Sequence, residues 1–263
     1  MMNNLYHMQR AMRAKRQEAL KRGVMAVLDV GSYKISCLVL RFDETGMAYS
    51  TDRQAALAGQ SAFRVIGMGT TRSRGVRFGE IDTVQETERA IRTAVQTAQK
   101  MAHTRVDHVM VAFAGARPRS YGMAGETIVQ DKTVQDDDVA RALASCDLPD
   151  LGEGREVLHA QPVNFSLDHR TGLSDPRGQV GERLAVDMHL LSVEANAIEA
   201  LLYCVKRCDL ELAGLASSPY VAGVSSLVED EQELGAACVD MGSGATGLSI
   251  FMKKHMIYAD TVR

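Results

Sequence analysis

From Val24 to Leu40 the chain reads as an apolar strand, a tight turn and a second apolar strand. Residues 43–62 are small and polar and are expected to form a hairpin tip or loop. Strand character resumes from Phe63 to Thr70, where Gly67-Met-Gly69 reads as a strand bend. Arg72 to Gly79 is a basic, glycine-containing loop. Ala90, Ile91, Ala94, Val95, Ala98 and Met101 then recur at helical spacing and predict a helix over 83–101. Val106 to Phe113 reads as a buried strand ending in Ala114-Gly115. The stretch 116–190 differs in texture: it holds four of the five prolines, and only a short helix (136–144) and two strands (157–167 and 185–191) stand out. A second long helix follows, with Ala197, Ile198, Leu201, Leu202, Val205 and Cys208 on one face. A short strand at 212–216, a helix at 219–227 and an acidic turn at 229–233 complete the pattern. Strands alternating with helices give an α/β layout with a covered sheet, interrupted by a small insertion.

Composition narrows the functional classes. With 46% hydrophobic residues in 263, the chain can bury a sizeable core. A net charge of −3 and the absence of tryptophan argue against nucleic acid as a partner. The five cysteines are odd in number and irregularly spaced, which argues against a disulfide framework. Cys204 and Cys208 have the spacing of a metal half-site but lack further ligands, so core packing is the expectation. His159 and His169 likewise show no partner at ligand spacing and are assigned structural roles. The first 22 residues carry six cations against Glu18, and residues 1–23 are expected to be a disordered basic leader. Weak attraction to an anionic membrane surface is the alternative. The basic loop at 72–77 could contact phosphate, but a solvated basic turn is the expectation. Asp136 to Asp138 reads as a helix start, where negative charge favours the N-terminal dipole.

The chemistry lies in an internal repeat. Val27 to Leu40 and Cys238 to Phe251 are each an apolar strand, an Asp-x-Gly-Ser turn and a second apolar strand. Asp29, Gly31 and Ser32 coincide with Asp240, Gly242 and Ser243 at a single offset of 211 positions. Alone, either turn is ordinary hairpin chemistry. Together they predict two phosphate-holding turns. Gly31, Gly242 and Gly244 let the main chain approach a ligand, and turn N–H groups form an anion nest. Ser32, Ser243 and Thr246 add hydroxyls, Lys34 adds a positive charge, and Tyr33 and Ala245 complete the tips. An aspartate beside phosphate needs a cation between them, so Asp29 and Asp240 are expected to hold Mg²⁺ through water. No His or Glu stands beside the glycines as a general base, so an enzyme, beyond a weak ATPase, is not expected.

Further segments carry a family resemblance: Leu28-Asp-Val-Gly-Ser-Tyr-Lys34, Ser73-Arg-Gly75, Val109-Met-Val-Ala-Phe-Ala-Gly115, Val157-Leu-His159 through Pro162, Ala213-Gly-Leu-Ala-Ser-Ser218, Glu233-Leu-Gly235 and Val239-Asp-Met-Gly-Ser-Gly244. In their order and spacing the chain resembles the FtsA family of bacterial cell-division proteins, in the actin/Hsp70/sugar-kinase superfamily, over 24–263. The resemblance implies an actin-like (ribonuclease H-like) ATPase lobe. Residues 24–114 and 191–234 would form its first subdomain, and 115–190 an inserted small α+β subdomain of the SHS2 type. Residues 235–263 would begin an incomplete second lobe. It also implies ATP and Mg²⁺, filament assembly and a link between the FtsZ ring and the inner membrane, on its cytoplasmic face at the division site. The insertion would serve self-contact and other division proteins. Family members continue past the second hairpin, so most of the second lobe, the adenosine-contacting glycines, the FtsZ surface and the C-terminal membrane helix are expected to be missing. Two alternatives stay open. One is a pilus-assembly actin homologue. The other is a sugar-kinase-type phosphotransferase, disfavoured because 219–227 offers no acid.

Overall fold

The computed structural model describes residues 2–42 and 63–263, with side chains of the first helix from Ala11 onward. The loop expected at 43–62 lies outside the described residues. The elements are α1 (Met2–Lys21), β1 (Val24–Val30), β2 (Lys34–Phe42), β3 (Phe63–Arg72), β4 (Val76–Arg77), β5 (Glu80–Ile81), α2 (Val84–Ala102), β6 (His108–Phe113), β7 (Arg119–Ile128), α3 (Asp136–Ala144) and β8 (Arg155–Leu167). They continue with β9 (Arg170–Leu173), β10 (Arg183–Glu194), α4 (Ala195–Arg207), β11 (Glu211–Ser217), α5 (Ser218–Ser226), α6 (Glu229–Leu234), β12 (Ala236–Met241), β13 (Thr246–Met252) and β14 (His255–Val262).

A five-stranded sheet in the order β11-β6-β1-β2-β3 forms the main body. β1, β6 and β11 run parallel, while β2 and β3 are antiparallel. Leu28, Val30, Cys37 and Val39 are buried against α2 and α4, whose inward stripes are Ala90, Ile91, Ala94, Val95 and Ala98, and Ile198, Leu201, Cys204 and Val205. Cys204 and Cys208 take the expected core role: their thiols reach the Val84 and Glu88 carbonyls of α2, and burial pushes both thiols up to about 11. Among the described residues no cluster of three or more metal-ligating side chains occurs, and no helix is long and apolar enough to cross a membrane.

Besides the expected strand irregularity, Gly67 and Gly69 let α2 lie directly on the strand. The register slips next to Gly67, where Ile66 is the bulged residue. A Cβ at Gly69 would stand 2.0 Å from the Ala94 carbonyl oxygen, and one at Gly67 would stand 2.2 Å from that of Ala98. Backbone cannot yield as a side-chain tip can. Gly69→Ala is therefore expected to destabilise the protein by about 2 to 3 kcal/mol. Thermal melting by circular dichroism should show a midpoint lower by roughly 8 °C; an unchanged midpoint would remove this account of the glycine pair.

The expectation of disorder over 1–23 does not hold, since residues 2–21 form α1. Ala19 is fully buried with Met25 and Ala213 on the sheet face opposite α2, and half-buried Met12, two turns back, packs against the main core. Lys15 and Arg22, two of the cations that suggested disorder, rim this contact. Lys15 pairs with Glu211 at 2.5 Å, and Arg22 bridges Glu18 and Asp107. The helix ends at Gly23, whose φ of 70° turns the chain into β1.

Residues 119–194 contribute a second sheet, β7-β10-β8-β9, with α3 on one face. Pro162 sits beside a register shift in β8, where a ladder donor is dispensable. The third sheet, β12-β13-β14, packs on α5 and on the second sheet through Leu191, Phe251, Met256 and Ala259. The acidic turn expected at 229–233 is the short helix α6, and β7, β9 and β14 were not anticipated.

Candidate functional site

Three parallel strands end side by side. Val30 of β1 is level with Phe113 of β6, and Phe113 with Ser217 of β11. The residues that follow these carboxyl ends, Gly31, Ala114 and Ser218, all line one cleft. This is the place where open α/β sheets take ligands. The two Asp-x-Gly-Ser hairpins close it from either side.

The hairpins match beyond their sequence. In the first, Asp29 faces Ser36 and Val30 faces Ile35; in the second, Asp240 faces Gly247 and Met241 faces Thr246. The register is therefore the same at the 211-residue offset. The turns match as well: Gly31 N–H donates to the Lys34 carbonyl at 3.2 Å, and Gly242 N–H to that of Ala245 at 3.0 Å. The tips meet, because a Cβ on Gly244 would stand 2.5 Å from Ser32 Oγ.

The cleft encloses roughly 330 Å³. Asp29, Gly31, Ser32, Tyr33, Lys34, Asp240, Gly242, Ser243, Gly244 and Ala245 line it, as do Gly79, Ala114, Ser218, Pro219 and Gly247. Thr246, expected at the site, is instead the first residue of β13, paired between Met241 and Val262 and outside this lining. Its β-branched side chain belongs to the pleated sheet rather than to the turn. The five additional residues are brought in by tertiary structure. All five lay in segments already marked for other reasons, Gly79 in the basic loop and Gly247 in the second hairpin, but none was expected at the site.

Charge within the cleft is unbalanced. Burial raises the Asp29 carboxyl above the ordinary aspartate range; Lys34 opposes that rise and the neighbouring Asp240 adds to it. Two carboxylates that repel each other across a cleft lined by turn amides, Lys34 and serine hydroxyls suit a divalent cation with an anion. Ser32 Oγ accepts the Gly79 N–H at 2.9 Å and keeps its own proton to donate. Gly79 tips the β4–β5 hairpin, whose Glu80 pairs with Arg263 just beyond β14, so this hairpin spans both sides of the cleft.

Sheet order and paired hairpins define the class: this is an actin-like ATPase fold. The solved PilM-PilN type IV pilus biogenesis complex resembles it with a TM-score of 0.54 over 90% of this chain and 61% of that one, at 12% identity. A family model described as the SHS2 domain inserted in FTSA matches residues 115–192. The cell division protein FtsA of Rhizobium meliloti (strain 1021) is 35% identical over 91% of this chain and 53% of its own length. That of Agrobacterium fabrum (strain C58) is 34% identical over 95% and 55%. The chain is an FtsA-like protein, and it spans about half the length of these curated relatives.

Proposed function

We propose that this chain carries the nucleotide-gripping part of an actin-like cell-division protein that binds ATP with Mg²⁺. The observation that carries the reading is the pair of hairpins meeting at Ser32 and Gly244 in one shared register, with Asp29 and Asp240 on either side of the cleft. The amides after Gly31 and Gly242, with Ser32, Ser243 and Lys34, take the phosphates, and Asp29 and Asp240 hold the cation through water. When bound, Mg²⁺ neutralises charge between the triphosphate and the two carboxylates. The nucleotide acts as a bridge between the hairpins rather than as a fuel for rapid turnover. α5 enters the cleft with Ser218 and Pro219 and has no acid in its sequence, which disfavours a phosphotransferase. By its likeness to FtsA, the full-length protein is proposed to assemble into filaments and to link the FtsZ ring to the cytoplasmic membrane at the division site. Residues 115–192 would meet other division proteins.

A fluorescent ATP analogue tests the cleft. Binding is expected in Mg²⁺, and Asp240→Asn and Asp29→Asn should each weaken it by about tenfold, one charge-assisted interaction being worth that much. Equal affinity with Mg²⁺ and with a chelator, in wild type and variants alike, would sink the reading. Co-pelleting of the full-length protein with FtsZ tests the partner.

A further inference from the structure

One side chain joins the inserted sheet to the cleft. His159 lies on β8, and its Nε2 accepts the backbone N–H of Ser217 at 3.2 Å. Ser217 is the last residue of β11, immediately before α5, and is 4% exposed, so water is poorly placed to satisfy that N–H. The His159 ring also lies 5.2 Å from the ring of Tyr220, which stacks on Phe251 of β13 at 6.2 Å. Ser218 and Pro219, between these two anchors, line the cleft. Pro219 sits against Gly247 of the second hairpin, and its carbonyl accepts the Ser249 hydroxyl at 2.8 Å. One imidazole thus holds both ends of the turn that forms this wall.

The hydrogen bond requires an unprotonated Nε2, which places the proton of the neutral ring on Nδ1. Burial, with the nearby His189 adding to it, pushes the ring down to about 4, so it is neutral near pH 7. Phenylalanine would preserve the ring against Tyr220 without an acceptor. Glutamine would preserve an acceptor at comparable reach without the ring.

We propose that His159 is a positioning residue for the cleft: from the inserted sheet it sets where the first turn of α5 stands against a bound phosphate group. The proposal rests on the nucleotide reading of the cleft. It assigns the inserted sheet a mechanical path to the ligand, and a coupling of this kind is reciprocal. A partner that shifts β8 changes nucleotide affinity, and nucleotide changes affinity for that partner.

Amide hydrogen exchange and MgATP titration on wild type, His159→Phe and His159→Gln test it. Without nucleotide, the amides of Ser217, Ser218 and Tyr220 are expected to exchange about fivefold faster in His159→Phe, the worth of one lost hydrogen bond, and near the wild-type rate in His159→Gln. MgATP affinity should fall by about fivefold in His159→Phe and return to within about twofold in His159→Gln. Wild-type exchange in His159→Phe overturns the proposal. So does equal impairment of both variants in affinity, which assigns the residue to packing alone. Failure of wild type to bind MgATP overturns the reading of the cleft instead, while the exchange rates still decide whether His159 holds α5.

Discussion

Between pH 6.5 and pH 4.5 the protein is expected to lose folding stability steeply, ahead of ordinary carboxylate titration. His159 and His189 are both pushed down from 6.5 to about 4 by burial. In the unfolded chain each ring takes a proton near pH 6.5, whereas the folded ring refuses it until about pH 4. The unfolded state therefore binds more protons as pH falls through this window, and stability falls with it. A gap of that size is worth roughly 3 kcal/mol per ring once fully developed. Asp29 acts in the opposite sense: its raised carboxyl takes a proton earlier in the folded protein, so acid stabilises it and offsets part of the loss. The carboxylates held low, Asp138 and Asp168 by backbone N–H groups and Glu88 and Glu211 by cationic partners, weaken folding only below their ordinary values of 3.8 and 4.5. Urea unfolding at closely spaced pH values should show the loss, and His189→Gln should remove about half of the slope. A flat profile from pH 6.5 to 4.5 would contradict it.

Gly244→Val is expected to reduce MgATP affinity by roughly a hundredfold, the scale of one strong charge-assisted hydrogen bond lost across the cleft. The added Cβ meets Ser32 at 2.5 Å from Oγ and 2.7 Å from Cβ, and Phe78 N at 3.2 Å. Ser32 is the shortest of serine levers, and its hydroxyl is already engaged by Gly79. The tips can accommodate the new atoms only by moving apart, and the bond to Gly79 goes with them. Because Gly244 sits at a turn rather than in the core, the melting midpoint should change little. Isothermal titration alongside a melt separates the two effects. Unaltered affinity would show that the tips need not touch for binding.

The hairpins were legible in the sequence because Asp, Gly and Ser are local turn chemistry and recur at one offset. The helices α2 and α4 were legible because each buries a continuous apolar stripe. β7 was not. One of its faces carries Gly122, Ala124 and Glu126, which are exposed, and on the other Gly125 makes room for α3, so no apolar alternation survives. α1 was missed because, among its described side chains, the inward apolar positions are sparse, with Met12 and Ala19 two turns apart, and because Lys15 and the following Arg22 are balanced by acids distant in sequence, Glu211 and Asp107. Ala114, Ser218 and Pro219 reach the cleft because three strand ends align, and Gly247 because the second hairpin packs on Pro219, which no local pattern encodes. His159 looked structural for lack of a nearby partner; its partner is 58 residues away.

The matched register of the hairpins gives the cleft an approximate twofold pseudo-symmetry that its proposed occupant does not share. A nucleoside triphosphate has a head and a tail, so something must decide which end faces which half. At equivalent positions the first half has Tyr33 and Lys34 where the second has Gly244 and Ala245, and Ser36 where the second has Gly247. The first half carries an exposed cation and an exposed ring; the second carries main chain pressed close. Those few substitutions between two copies of one motif are where the polarity of binding is written.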